Sequence, residues 1–302
     1  MEVHQLRYFL AVAQAGSFTG AAAACNVSQP TLSAQVAKLE DELGGLLIER
    51  GRHGAKLTAR GELFRGRAAG ALHQLALGRS ELEELDGLRR GTVALGCLPT
   101  TGAHLLPLLL PAFRLAYPGI RVNLREESSP GLARALHDGE VELAITDEAG
   151  AGAGIATEIL FSEDLLIAVP AGHQFAGWPE IDLKDLAGQD LVVMKQGHGF
   201  RSIMLDALQR AGVQPRIVYE SAEIETVQSL VAAGLGVSMI PEIVRKQPGP
   251  VYLSIRPPRP SRTILIAWRE GTPLSPAALA MKETAITCLG GRNRVDSAGV
   301  VR

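Results

Sequence analysis

Small polar residues lie where four helices are expected to begin in the C-terminal two-thirds of the chain. Helix starts offer free backbone N–H groups and a partial positive charge, which bind anions and polar groups. Hydroxyls there can donate to a ligand oxygen or simply cap the helix. The pattern predicts a site for a small polar or anionic ligand, with capping alone as the alternative. The candidate residues are Thr100, Thr101, Ser128, Ser129, His198, Gly199, Phe200 and Thr226.

The residue types that carry enzymatic chemistry do not cluster in the sequence. Cys25, Cys97 and Cys288 lie far apart without CxxC spacing, which argues against a disulfide framework and a zinc knuckle. The seven histidines show no metal-ligand spacing, and no Ser-His-Asp or paired-carboxylate signature stands out. We therefore expect no metal, no cofactor and no enzymatic activity.

A second group of polar and basic residues lies near the N-terminus. Glutamine amides can pair with adenine, Ser and Thr hydroxyls can contact bases or phosphates, and basic side chains meet phosphates. Six basic residues against one acid between Arg50 and Arg67 give a local charge of about +5, although the formal net charge of the chain is −2. The alternative is a solvated charged face. The candidate DNA contacts are Ser28, Gln29, Pro30, Thr31, Ser33, Gln35, Lys38, Arg50, Arg52 and Lys56.

Short helices and a β-wing are predicted to position these candidate DNA contacts. Apolar spacing predicts a helix over 4–14, and Ser17 and Ser28 are suited to cap two more. A strand, a tight turn and a second strand follow over 46–61. Residues 59–88 contain no proline and predict one long helix, in which Leu75, Leu82 and Leu85 form a short seam. We expect this seam to pair with a second copy of the chain; packing on its own domain is the alternative.

From Gly91 onward, predicted strands alternate with helices, which is typical of parallel α/β sheets. The predicted organisation is α/β: a mostly helical winged helix-turn-helix over 1–58, a linker helix over 59–90, and an effector-binding region over 91–302. That region divides into lobe I, at 91–162 and 266–302, and lobe II, at 163–265. Two lobes joined by two crossovers leave a cleft, where a small ligand usually binds.

The sequence resembles the LysR-type transcriptional regulators over nearly its whole length. The resemblance is carried by LRYFLAVAQAGSFTGAAAACNVSQPTLSAQVAKLEDELG, FRLAYPGIRV, GEVELAIT and VAAGLGVSMIP. It implies an effector region like a periplasmic binding protein, a dyad promoter site on double-stranded DNA, and a dimer or tetramer. CNVSQPTLS, LPTTGAHLLPLLLP and GHGFRS look most like the OxyR peroxide-sensor branch. Gly199 and Leu208 stand where that branch has its reactive and resolving cysteines.

The absence of this cysteine pair favours a reversible ligand over peroxide sensing. Because Gly199 has no side chain, we expect room there for a ligand larger than peroxide. The alternative is a redox regulator that acts through Cys97. A solute-binding protein would share the two lobes, but it needs export and has no wing.

No apolar run is long enough to cross a membrane and no signal peptide is evident, so we expect a cytoplasmic protein. The effector, the regulated genes and the sign of regulation are left open.

Overall fold

The N-terminal part of the chain is helical up to a small β-hairpin. The computed structural model describes residues 1–51, 54–84, 91–197, 199–244 and 248–290. The elements of this part, in chain order, are α1 (Val3–Ala15), α2 (Phe18–Ala24), α3 (Gln29–Leu43), β1 (Ile48–Gly51), β2 (Gly54–Leu57) and α4 (Ala59–Glu84). The predicted helix-turn-helix, wing and long helix are thereby confirmed.

Local capping fixes the starts of the second and third helices as the sequence predicts. The Ser17 hydroxyl accepts a hydrogen bond from Gly20 N at 3.1 Å, and the Ser28 hydroxyl accepts one from Thr31 N at 3.3 Å. Proline in the first turn of α3 suits a helix start, because its missing N–H would be unpaired there in any case. The third helix ends at Gly44, whose φ of 70° is the left-handed conformation that glycine adopts without strain.

One core joins the N-terminal elements. It packs the apolar stripe of α3 against α1, α2 and the beginning of the hairpin, with Phe9, Leu32, Val36 and Leu39 fully buried. Of the predicted leucine seam on α4, Leu75 is 55% exposed. The Leu82 side chain and all of Leu85 lie outside the described residues, so the pairing of this helix with a second copy stays a prediction.

The C-terminal part alternates strands and helices. Its strands are β3 (Gly91–Cys97), β4 (Ile120–Glu126), β5 (Leu143–Asp147), β6 (Ile155–Val169), β7 (Glu180–Ile181), β8 (Asp190–Met194), β9 (Arg216–Ser221), β10 (Ser238–Pro241), β11 (Val251–Ile255) and β12 (Ser261–Arg269). Its helices are α5 (Pro99–Ala116), α6 (Ser129–His137), α7 (Gly199–Arg210), α8 (Ile224–Ala232) and α9 (Pro276–Leu289).

The main sheet has the strand order β4-β3-β5-β12-β6-β11-β7, with β10 paired to β6 and a separate parallel pair formed by β8 and β9. Strands β3, β4 and β5 run parallel, as the α/β alternation predicts. Strand β6 is long because one half pairs with β12 and the other half pairs with β10 and β11. It therefore spans both halves of the main sheet and carries the chain from one half to the other.

Two apolar cores lie on either side of these crossovers. The first packs α5 and α9 onto β3 and β5, and the second packs α7 and α8 onto β8 and β10. The change from one core to the other falls between Phe161 and Leu165 and again between Ile255 and Ile264. Among the described residues, no helix combines the length and the apolar run that crossing a bilayer requires.

Candidate functional site

The start of α3 presents polar groups to solvent. Ser28, Gln29, Pro30 and Thr31 are all exposed, and so is Lys38 further along the helix. The hydroxyls of Ser28 and Thr31 lie 2.7 Å apart and share a hydrogen bond. The side chain of Ser28 therefore serves the cap, while that of Gln29 makes no hydrogen bond to any residue that the structure describes and extends from the first turn of the helix.

Two other predicted contacts on α3 are less accessible than the pattern suggests. Ser33 and Gln35 are both only half-exposed. The amide oxygen of Gln35 accepts a hydrogen bond from Gln5 Nε2 at 3.3 Å and lies 3.1 Å from the His4 ring nitrogen. Gln35 therefore connects α3 to α1 inside the protein, a long-range role that helical periodicity does not reveal.

The hairpin formed by β1 and β2 carries the basic wing residues. Lys56 is exposed, and the Arg50 guanidinium lies 4.3 Å from the centre of the Phe18 ring, in cation–π geometry. The backbone N–H of Ala55 donates to Gly16 O at 2.7 Å, which attaches the hairpin to the turn after α1. Arg52 lies outside the described residues.

Sequence reasoning missed a buried carboxylate that joins α3 to the wing. Glu40 is 5% exposed, and its Oε1 accepts hydrogen bonds from Leu47 N at 2.8 Å and from Ile48 N at 2.9 Å. These two N–H groups begin the first wing strand. Removing their acceptor would leave buried donors unpaired. Glu40 therefore fixes the position of the wing relative to the exposed end of α3.

A small cavity opens at the carboxyl ends of the strands, where the two C-terminal cores meet. Leu98 follows β3, Asp147 ends β5, Met194 ends β8 and Pro241 ends β10. The cavity has a volume of about 20 Å³, which is room for one or two water molecules. Its lining consists of Leu98, Pro99, Thr100, Ser129, Asp147, Met194, Gly199, Phe200, Ile224, Pro241 and Arg262.

Four of the predicted ligand contacts meet at this cavity: Thr100, Ser129, Gly199 and Phe200. They come from the first turns of α5, α6 and α7, as the convergence of helix starts predicts. The Ser129 hydroxyl is fully buried and has no hydrogen-bond partner among the described residues. A buried hydroxyl without a partner is unusual, and a ligand or water in the cavity would satisfy it.

Three other predicted ligand contacts lie elsewhere. Thr101 is buried, and its hydroxyl donates to Leu98 O at 2.8 Å, so it serves the helix start. Thr226 is exposed on α8, and Ser128 is half-buried; neither lines the cavity. Only some side chains in the first turn of a helix can face the cavity. The neighbours of an inward-facing residue point away from the cavity. His198 lies outside the described residues.

The space expected at Gly199 is already filled. A side-chain carbon built at this glycine would overlap the Asp147 carboxylate and would come within 2.9 Å of Ala149 Cβ. Asp147 is 2% exposed, and its Oδ1 accepts a hydrogen bond from Ala149 N at 3.2 Å. The expectation that the missing side chain makes room for a larger ligand is therefore wrong, because the protein's own carboxylate occupies that place.

A buried ion pair forms a further part of the cavity wall. Arg262 on β12 and Glu163 on β6 are register partners, and both side chains are 2% exposed. Arg262 donates through Nε to Glu163 Oε1 at 2.7 Å, and Glu163 Oε2 accepts from Ile243 N at 2.7 Å. The pair ties together the two crossover strands. No local pattern in the sequence marks it, because its partners are 99 residues apart.

Cys97 lies beside this region as the last residue of β3 and is fully buried. Burial, with a smaller contribution from the Glu126 carboxylate, raises the pKa of its thiol from 9.0 to about 12. Cys25 and Cys288 are half-buried free thiols. Within the described ranges, no group of three or more His, Cys, Asp or Glu side chains is placed to hold a metal ion.

An exposed helix start with a basic wing, followed by two α/β lobes with a cavity between them, is the arrangement of a DNA-binding regulator with an effector-binding domain. Residues 3–62 match the family described as bacterial regulatory helix-turn-helix protein, lysR family, and residues 86–287 match the LysR substrate binding domain. The chain belongs to the LysR family of transcriptional regulators.

Individual relatives agree with this assignment. The DNA-binding transcriptional dual regulator OxyR of Escherichia coli K12 is 32% identical over 278 residues, covering 91% of this chain and 91% of the relative. A full-length OxyR variant from Pseudomonas aeruginosa is similar in structure, with a TM-score of 0.76, 32% identity and 95% coverage of each chain. Full-length CbnR complexed with its target DNA has a TM-score of 0.67 and 26% identity, and the match covers 95% of this chain and all of CbnR.

Proposed function

We propose that this regulator binds a dyad promoter site through α3 and the wing, and that a small polar ligand in the cavity between its lobes controls DNA binding or promoter activation. The main support for control by a ligand is the buried, unpartnered hydroxyl of Ser129 at the cavity wall. The exposed polar start of α3 supports DNA binding. The similarity to CbnR, which was solved on its target DNA, supports it as well.

We infer that the chain acts as a dimer or tetramer. A dyad site needs two DNA-binding domains, and the long helix α4 presents Leu75 as an exposed apolar side chain that a second copy could cover. Closed two-fold symmetry is the commonest arrangement of homo-oligomers, and the protein's symmetry then matches that of the DNA site.

A redox regulator acting through Cys97 is the second candidate, and the similarity to peroxide-responsive OxyR proteins is what favours it. Two observations weigh against it. The thiolate is the reactive form of cysteine, and burial of Cys97 disfavours that form. Gly199 and Leu208 stand where the OxyR resemblance implies cysteines, and Leu208 is fully buried in the second C-terminal core. We therefore favour a reversible ligand.

Two substitutions at the DNA end separate sequence reading from phosphate binding. We expect Gln29→Ala to reduce the free-energy preference for target over random DNA by about 1–3 kcal/mol, which is the value of a good bidentate base contact. We expect Lys56→Ala to weaken binding to both DNAs about equally and to reduce the slope of affinity against salt by about one. Gel retardation on the DNA upstream of the protein's own gene, at several salt concentrations, measures both. Unchanged specificity in Gln29→Ala would show that α3 is not the reading helix.

Two adjacent serines provide a matched test of the cavity. Thermal-shift screening identifies small metabolites that stabilise the full-length protein and change its DNA affinity. For such a metabolite, we expect Ser129→Ala to weaken binding by about three- to tenfold, the value of one lost hydrogen bond. Ser128→Ala, outside the cavity lining, should bind it like the wild type. If both variants respond alike, the ligand does not bind at Ser129.

A further inference from the structure

The formal charges in the cavity wall are unevenly compensated. Among the described lining residues, the charged side chains are Asp147 and Arg262. Arg262 is neutralised by Glu163, with which it shares a buried ion pair. Asp147 forms no ion pair with any residue that the structure describes, and within those residues its carboxylate accepts a hydrogen bond from Ala149 N. The cavity therefore contains a buried carboxylate whose charge no described side chain balances.

The position of this carboxylate matters as much as its charge. It lies against Gly199, the first residue of α7, where a ligand anion would otherwise approach the free N–H groups of the helix start. The protein thus supplies its own anion at this place. A second anion in the same small cavity would meet a like charge with little water to screen it, and like charges in one site disfavour each other strongly.

Two further polar atoms of the wall are buried without a hydrogen-bond partner among the described residues: Ser129 Oγ, which is neutral, and Arg262 Nη2, whose charge the adjacent Glu163 offsets. Ser129 Oγ is fully buried and unpartnered, and a hydroxyl can either donate or accept a hydrogen bond. The rest of the wall is largely apolar, with Leu98, Met194, Phe200 and Ile224. A group that donates hydrogen bonds and carries positive charge satisfies both Asp147 and Ser129. An anion could accept from Ser129 Oγ and Arg262 Nη2, but it would meet the uncompensated like charge of Asp147.

We propose that the cavity selects a small ligand with a cationic, hydrogen-bond-donating group, such as an amine or amidine, and that Asp147 is its counter-ion. This inference rests on the proposed control of the regulator by a cavity ligand. A cationic ligand replaces the anionic ligand that the helix starts alone suggest, because the tertiary structure places the Asp147 carboxylate among these helix starts. Its size limit follows from the cavity, which has room for one or two water-sized groups and therefore takes up the donor group of the ligand.

Three isosteric probes test the charge preference directly: formamidinium, formamide and formate carry charges of +1, 0 and −1 on three heavy atoms. We expect formamidinium chloride to stabilise the full-length wild type more than formamide, and sodium formate least, in thermal-shift titrations at matched ionic strength. In Asp147→Asn, which keeps an oxygen for Ala149 N–H, the affinity for formamidinium should fall about tenfold or more, since the charge-assisted bond is lost.

A control variant makes the outcome decisive. Asp206→Asn removes an exposed carboxylate on α7 outside the cavity, and it should leave the order of the probes unchanged. Formate ranking above formamidinium in the wild type, or all three probes giving the same shift or none, would overturn the proposal. An anionic metabolite that changes DNA affinity through Ser129 would also overturn it, but would leave the proposed regulator function intact.

Discussion

Replacing Arg262 with alanine is expected to lower the unfolding free energy of the C-terminal part by about 3–5 kcal/mol. The substitution leaves the Glu163 carboxylate buried, with Ile243 N as its remaining hydrogen-bond donor among the described residues. A buried charge that loses its partner keeps its desolvation cost without the attraction that offset it. The side-chain link between β6 and β12 is lost as well, while their backbone pairing remains, at the point where the chain crosses between the two cores.

Urea denaturation followed by tryptophan fluorescence measures this effect, because both tryptophans, Trp178 and Trp268, lie in the C-terminal part. The matched control is Arg216→Ala, which breaks a solvent-exposed pair with Asp190 and should cost less than about 1 kcal/mol. Replacing both Arg262 and Glu163 with leucine should cost less than Arg262→Ala, since no buried charge is left unpaired. A loss below about 1 kcal/mol for Arg262→Ala would mean that water reaches the pair.

Hydrogen peroxide at modest excess should leave DNA binding unchanged, in the wild type and in Cys97→Ser alike. With the pKa of the Cys97 thiol raised from 9.0 to about 12, the thiolate fraction near pH 7 is about one in 10⁵, roughly a thousandfold below that of an unperturbed thiol. The same shift sets the sign of the pH dependence. Reactivity should rise about tenfold for each pH unit and level off only near pH 12, because the thiolate is the reacting form.

Alkylation with iodoacetamide, read by mass spectrometry at each cysteine of the native protein, measures this reactivity. Cys25 and Cys288 are half-buried and serve as internal references. Cys97 should react more slowly than either. Loss of DNA binding in peroxide that disappears in Cys97→Ser would establish the redox alternative, with a sulfenic acid or a mixed disulfide as the oxidised state.

The DNA-binding end was largely predictable because its determinants are local. A capping serine and the N–H that it accepts from are three residues apart, as at Ser17 and Ser28, and the wing turn needs only its own few residues. The alternation of strands and helices after Gly91 follows from hydrophobic spacing within each element. The family resemblance depends on the same local motifs. These features are properties of short segments and need no knowledge of which segments meet.

The sequence alone did not determine which side chains face the cavity or what charge it carries. Thr100 and Ser129 line it while their neighbours Thr101 and Ser128 do not, because the packing of each helix onto its sheet fixes which side of the first turn faces the cavity. The buried carboxylates Glu163 and Asp147 contact residues distant in the sequence, Arg262 and Gly199 respectively. Strand register and core packing create these long-range pairings. The sequence therefore determined the class of the protein, whereas the tertiary structure decided the chemistry of its ligand cavity.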